Sequence, residues 1–382
     1  MTYYVTRQPP QYRQMSLEEF LFGSGDEQTK PFFNPNISNT RTYTFDVSPL
    51  PLRQATDVNF LIRQLQDFNT CTQRLRDHPR RELYYEFRIP KKSGGLRRID
   101  APNDELKDAL RTLKSIFEND FNALYHTSSF AYAKGRSAID AVKRHQQNKS
   151  RWFAKFDLSD FFGSTTMDYT MKMLSMLYPF SEVVKSKDGY DALVAALDLA
   201  FLDGGLPQGT PISPLITNLI MIPVDFALCN KLRNFNKQSY VYTRYADDFL
   251  ISSEYDFNYH EIEKLITDTL AGFGAPFAIK SKKTRYGSSS GKNWNLGVML
   301  NEKNEITIGY KNKRRFEAML RSYALDHKNG ISWSKSDVQA LDGFRNYYKM
   351  VEGETIDRIV AHVGEVLGVN IPALIKQDLK AS

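Results

Sequence analysis

Three aspartates stand where an acid is unfavourable unless it carries chemistry. Asp247 and Asp248 follow Tyr245-Ala246 between two apolar, β-prone runs, Val241-Tyr242-Thr243-Arg244 before and Phe249-Leu250-Ile251-Ser252 after. Acidic pairs are common on solvated loops, but few are flanked by strands on both sides. Neighbouring residues on a strand point to opposite faces, yet at the tip of a tight hairpin both carboxylates can be presented at one edge. A hard divalent cation such as Mg²⁺ binds carboxylate oxygens and needs few of them, because substrate phosphates complete its shell. A polar hairpin turn is the plain alternative for the pair taken alone, since Asp is a common turn residue. Asp157 closes a second apolar run, Trp152 to Leu158, where burying a charge is costly unless it is paired or holds a metal. A helix N-cap would account for an acid at this place, but Ser159 and Asp160 are better placed to cap, which leaves Asp157 without that role.

The elements that must position these acids can be read from spacing. Residues 55 to 79 carry Phe60, Leu61, Leu65 and Phe68 at helical intervals. A strand from Tyr84 to Ile89, a polar turn at Lys91-Lys92-Ser93-Gly94-Gly95 and a strand from Leu96 to Ile99 follow, then helices at about 104–117 and 137–147. Trp152 to Leu158 reads as a buried strand and 166–202 as mainly helical. Gly204 to Pro214 is a Gly/Pro-punctuated turn, read as opening one long helix through about Leu232. Such a turn directs backbone N–H groups outward and allows close approach to a nucleotide, although a loop before a helix start explains it equally well. The acidic hairpin spans about 239–254, followed by an amphipathic helix at 259–272, a basic loop at 280–292, a strand pair at 295–309 and a helical tail at 312–380.

Composition sets the wider bounds. The chain has 382 residues, 41% hydrophobic and 25% charged, enough for two or three packed subdomains. Lysine and arginine number 51 against 44 acids, a net charge of +7, and the pI is about 9.1. With 13% aromatics, this balance suits a protein that grips a phosphate backbone. Cys71 and Cys229 match no zinc spacing and read as reduced thiols of a cytoplasmic protein. The N-terminus lacks the layout of a signal peptide, and no apolar run approaches ~18 residues, so no membrane partner is expected.

Taken together, the order is specific: Asp157 on a strand, the Leu206-Pro207-Gln208-Gly209-Thr210-Pro211-Ile212-Ser213-Pro214 turn, the Asp247-Asp248 hairpin, then Lys282-Lys283-Thr284-Arg285. In this the chain resembles bacterial reverse transcriptases. The likeness extends upstream to Lys92-Ser93-Gly94-Gly95-Leu96-Arg97-Arg98-Ile99-Asp100-Ala101-Pro102 and Phe130-Ala131-Tyr132-Ala133-Lys134-Gly135-Arg136-Ser137, and downstream to Leu296-Gly297-Val298, similar to the primer-grip strand. It covers roughly residues 80 to 325. The resemblance implies an α+β right-hand polymerase: fingers and palm, with an antiparallel palm sheet packed on helices, and a C-terminal helical thumb. The expected divisions are an N-terminal extension (1–54), fingers interleaved with palm (55–150), palm (151–310) and thumb (311–382).

It further implies an RNA-directed DNA polymerase that uses two Mg²⁺ ions, or Mn²⁺ in their place, to add deoxynucleotides to a primer 3′-hydroxyl. Asp157 and Asp247 would ligate both ions, with Asp248 a weaker or outer ligand, as its opposite strand alternation would favour. Lys92 and Arg97 would clamp the triphosphate, with Arg98 an alternative to Arg97. Gln208 and Gly209 would approach the nucleotide sugar and base, and Lys283 would protonate the leaving pyrophosphate. Phe162, five residues after Asp157, stands at the steric gate that excludes a ribose 2′-hydroxyl, while Phe161 reads as core. Arg136 and the cluster Lys311, Lys313, Arg314 and Arg315 would contact nucleic acid backbone, since positive charge at a helix start opposes the helix dipole. The partners implied are an RNA template, a DNA primer or product and deoxynucleotides. Two departures point away from the retron branch: Ala141-Val142-Lys143-Arg144-His145 keeps only the His of an Asn-Ala-x-x-His element, and Asn295-Leu296-Gly297 replaces Val-Thr-Gly. The similarity then implies a compact stand-alone enzyme working with a cognate non-coding RNA in anti-phage defence. A retron or group II intron-derived enzyme, or an RNA-binding scaffold making untemplated DNA, is the alternative.

Overall fold

Eight strands occur among the described residues: β1 (Tyr84–Pro90), β2 (Leu96–Pro102), β3 (Trp152–Asp157), β4 (Tyr240–Tyr245), β5 (Asp248–Ser253), β6 (Arg285–Ser288), β7 (Met299–Leu300) and β8 (Ile306–Thr307). The computed structural model describes residues 57–90, 94–121, 125–289, 294 and 297–381. The expected N-terminal extension, Lys92, Asn295 and Leu296 lie outside them. Strands β1 and β2 form an antiparallel hairpin, and β7 and β8 another. The main sheet is antiparallel with order β4-β5-β3-β6. Mixed helix and antiparallel sheet with a helical C-terminal region is the architecture expected of a polymerase palm and thumb.

Two compact units alternate along the sequence. The first takes the described residues up to Lys134, then Leu158–Asn230 and Leu265–Ile279; the second takes Gly135–Asp157, Lys231–Lys264 and the described residues from Lys280 onward. In the first, the helix Val58–Cys71 starts where Asp57 accepts from the Phe60 N–H at 3.1 Å. It buries Leu61, Leu65 and Phe68 of the expected stripe, whereas Phe60 is exposed. The second contains the whole main sheet. Phe153 and Leu250 from that sheet pack with Val142, Trp294, Val298 and Leu300. Its C-terminal helices, Tyr310–Lys328, Lys335–Leu367 and Ile371–Ala381, share a core around Phe316, Leu320, Tyr323, Leu341, Ile356 and Val363.

Several expectations give way to local physics. The run after Gly204–Pro214 is two helices, Ser213–Ile220 and Ile222–Arg233, bent by 40°. Pro223 has no N–H for the carbonyl four residues back, and its ring crowds that carbonyl. Neither Ser159 nor Asp160 caps the short helix Phe161–Ser164: Asp160 holds a left-handed backbone and makes no capping bond, and the Ser159 hydroxyl accepts from Ala278 N–H instead. The basic loop at 280–292 contains β6, which pairs with the edge of β3 from Trp152↔Ser288 to Lys155↔Arg285. No single helix among the described residues is long and apolar enough to cross a membrane, although two bent helix pairs meet that test together. Cys71 and Cys229 form no disulfide.

Candidate active site

Strand register brings the three aspartates to one edge of the main sheet. Asp157 ends β3 and Asp248 begins β5, and the two are directly paired positions. Directly opposed residues share a sheet face, so both carboxylates project the same way. Tyr245 pairs with Asp248, leaving Ala246 and Asp247 as a two-residue hairpin loop. Asp248 is therefore not turned away from Asp157 by alternation, as its sequence position implied; it is Asp247 that leaves the strand. Burial lifts the Asp247 carboxyl above its ordinary pKa, with Asp248 and then Asp157 adding repulsion.

Lysines compensate the other two acids. Lys155 lies two residues before Asp157 on the same face of β3, and its Nζ is 2.5 Å from Asp248 Oδ2. Lys283 Nζ is 3.1 Å from Asp157 Oδ1 and 3.3 Å from Oδ2, with Lys280 Nζ at 3.8 Å. These ammoniums arrive on the short 3₁₀ turn Ser281–Lys283, and the Lys280 N–H donates to the Asp157 carbonyl at 2.8 Å. Lys283 is thus on the aspartate itself. Among the described residues, no three acidic, His or Cys side chains converge tightly enough to hold an ion unaided. The donor set nonetheless suits a hard divalent cation, which can take one or two protein carboxylates and complete its shell with phosphate and water. Asp157 and Asp247 fit that requirement.

Two further side chains hold the hairpin, and sequence spacing marked neither for this role. Ala246 has φ of 57°, the left-handed region disfavoured for a residue with a Cβ. The guanidinium of Arg244, 1% exposed, donates to the Ala246 carbonyl at 3.2 Å. Beneath, His145 on the helix Ala138–Gln147 is fully buried. Its Nδ1 meets Ser252 Oγ of β5 at 2.6 Å, and its Nε2 meets Thr243 Oγ1 of β4 at 2.8 Å. Burial depresses the imidazole pKa to about 3, with Arg144 adding to the effect. The neutral ring ties together β4 and β5, the two strands joined by the Ala246–Asp247 loop.

In the first unit, the Gly/Pro turn is held by backbone contacts. The Leu206 N–H donates to the Phe162 carbonyl at 3.0 Å, and the Asp100 N–H donates to the Gln208 carbonyl at 2.9 Å. A Cβ at Gly205 would lie 2.0 Å from the Gly163 carbonyl oxygen, and one at Gly209, φ 130°, would lie 2.8 Å from the Asp100 carbonyl oxygen. The glycines are thus required by this packing, whatever they meet in a nucleotide. Phe161 is buried, edge-on to Phe277 at 5.0 Å, while Phe162 is half-buried. On β2, Arg98 is engaged by Asp100 at 3.1 Å and Asp203 at 3.1 Å, whereas Arg97 is exposed with no ion pair among the described residues. That leaves Arg97 the freer of the two alternatives.

A family model described as "Reverse transcriptase (RNA-dependent DNA polymerase)" matches residues 89–311. The chain belongs to the reverse transcriptase family. Curated relatives include the retron Ec73 reverse transcriptase of Escherichia coli, 33% identical over 214 residues, which cover 53% of this chain and 64% of that one. The retron Ec83 reverse transcriptase of Escherichia coli is 27% identical over 296 residues, 74% of this chain and 87% of that one. The chain thus spans just under two thirds of the first relative's length and more of the second's. Apo telomerase from Candida tropicalis is similar at a TM-score of 0.40 and 13% identity, covering 64% of this chain and 60% of that chain. The departures at 141–145 and 295–297 do not separate this reverse transcriptase from the retron-type members. His145, the element's retained residue, is the one with a buried structural task.

The remaining basic residues differ among themselves. Arg136 is half-buried. Lys311, Arg314 and Arg315 are exposed at the start of the helix Tyr310–Lys328. Lys313, expected to face nucleic acid, pairs instead with Glu352 at 2.6 Å. Glu352 breaks the long helix with φ of −139° and also accepts from Thr307 Oγ1 and the Ile308 N–H. Lys313 is therefore part of that half-buried junction.

Proposed function

We propose that this protein is an RNA-directed DNA polymerase of retron type, extending a primer 3′-hydroxyl with deoxynucleotides. The observation that carries the reading is the register Asp157↔Asp248 with Asp247 in the adjoining loop, which gathers three carboxylates at one sheet edge. Asp157 and Asp247 would hold two Mg²⁺ or Mn²⁺ ions, with Asp248 outside their first set of ligands. When bound, such ions stabilise charge on the attacking and leaving oxygens of an in-line phosphoryl transfer. Lys283, whose solvent-facing ammonium pairs with Asp157, would exchange that partner for the anionic pyrophosphate and supply its proton.

The exposed Arg97, together with Lys92, would grip the triphosphate, Arg by two parallel hydrogen bonds and Lys as a point charge. The ring of Phe162, whose carbonyl accepts from the Leu206 N–H of the Gly/Pro turn, would exclude the ribose 2′-hydroxyl, beside Gln208 and Gly209. Arg136, Lys311, Arg314 and Arg315 would follow the template–primer backbone, recognised by shape and phosphates. The 151–310 segment would then act as palm and 311–382 as thumb. A cognate non-coding RNA and service in anti-phage defence follow from family association alone.

Primer extension on an RNA template tests the central reading. Asp157→Ala and Asp247→Ala should each lower the rate by at least about 10³-fold while near-native circular dichroism persists, and extension at the normal rate by either variant would refute it. Sequencing nucleic acid that co-purifies with the protein separates the biological readings: a branched RNA–DNA joint marks a retron, a defined RNA with its cDNA another templated partner, and homopolymer untemplated addition.

A further inference from the structure

Asp157 and Asp248 differ most in what already neutralises them. Asp157 and Asp248 are directly opposed on one sheet face, an arrangement that repels unless a cation intervenes. Two kinds of ammonium intervene. Lys283 and Lys280 reach Asp157 from a turn, with side chains 54% and 42% exposed against 17% for the aspartate. It is the ammoniums that face solvent here, and a solvent-facing ammonium gives way to another cation more readily than one held inside a sheet. Lys155 reaches Asp248 from within β3, with only 18% of its side chain exposed against 24% for the aspartate. Its backbone is held on both sides, opposite Leu250 of β5 and Arg285 of β6. The Asp157 pair can open when a divalent ion arrives, whereas the Asp248 pair belongs to the sheet.

We propose that Lys155 is a positioning residue that keeps Asp248 out of the ion site and holds down the site's intrinsic affinity for a divalent cation, so that the ion is captured together with the nucleotide phosphates and not ahead of them. This rests on the polymerase reading above. The difference between Asp247 and Asp248 then arises from a third side chain, and Lys155 joins the site although no motif marked it. Without its ammonium, Asp248 becomes a third ligand and the cluster gains one net negative charge.

Mn²⁺ alone, titrated into the full chain without nucleotide or nucleic acid and followed by loss of the free-ion electron paramagnetic resonance signal, tests this. Lys155→Met and Lys155→Gln should bind Mn²⁺ about tenfold more tightly than wild type, the order expected for one unit charge a few ångströms from a dication in a partly hydrated site. Lys155→Arg should bind as wild type does, and adding Asp248→Asn to Lys155→Gln should restore wild-type affinity. Unchanged affinity in Lys155→Met and Lys155→Gln, or an equal gain in Lys155→Arg, overturns the proposal. Failure of both neutral variants to fold overturns it too, because the ammonium would then serve the sheet and not the ion site. Asp157→Asn and Asp247→Asn separate the two levels. If they bind Mn²⁺ as wild type does, the metal reading itself fails; if they lose it while Lys155→Met is unchanged, only the role of Lys155 fails.

Discussion

Acidification should loosen the hairpin that carries Asp247 and Asp248 through a single side chain, His145. The neutral imidazole serves one hydroxyl as donor and the other as acceptor, and protonation makes both ring nitrogens donors. The buried ring also has no water to solvate a charge. Its pKa is about 3 in the folded protein against 6.5 when unperturbed. The sign follows from linkage: a base with a depressed folded pKa contributes stability that is complete above the unfolded value and is lost as pH falls. From those two values, folding weakens by about 2 kcal/mol between pH 8 and pH 5, and by ~4–5 kcal/mol once the pH reaches 3. The assay is urea unfolding followed by tryptophan fluorescence. All three tryptophans, Trp152, Trp294 and Trp333, lie in the unit that contains the hairpin, and Trp294 stacks at 5.4 Å on Phe153, itself 5.5 Å from the His145 ring. Wild type and His145→Gln, which keeps a donor and an acceptor, are compared at pH 8 and pH 5. Other titrating groups contribute equally to both, so wild type should lose about 2 kcal/mol more. An equal loss in the two proteins would show that His145 is already charged, or exposed, in the native state, and the argument would fall.

Other outcomes follow from the same structure. Phe162→Ala should raise ribonucleotide incorporation relative to deoxynucleotide by at least about tenfold in direct competition; no change would remove Phe162 from the gate. Gly205→Ala should cost about 1–3 kcal/mol of stability, seen as a lowered melting temperature, because the new methyl meets the Gly163 backbone. Asp247→Asn should melt higher than wild type near neutral pH while synthesising no DNA. Its carboxyl, lifted by burial and by Asp248, is destabilising above its folded pKa, and the neutral amide removes that charge. A lower melting temperature would show that this charge is already compensated.

Much of the site was legible because its signals are local. Asp157, Asp247 and Asp248 stand out as acids among β-prone residues, and the order of motifs by itself places the chain among reverse transcriptases. Hydrophobic spacing found the helix Val58–Cys71 with Leu61, Leu65 and Phe68 on one face, since burial on one helical face repeats within a few residues. Short-range chemistry was misread where two local rules competed, as at Asp160, whose backbone is left-handed, and at Pro223, where an apolar run suggested one continuous helix.

Sequence alone determined which residues carry charge and which runs must be strands, and hence the class of chemistry. Only the tertiary structure decided how those strands align. The order β4-β5-β3-β6 joins segments ~100 residues apart, and a shift of one position would turn Asp248 to the other face of the sheet. Register set Asp157 against Asp248, brought Lys155 within 2.5 Å of the latter and placed His145 between Thr243 and Ser252. None of those partners is near in sequence, so no local pattern could announce them. The two neighbouring aspartates, which alternation along a strand was expected to separate, differ in place and partner: one lies in a hairpin loop and the other pairs with a lysine on another strand.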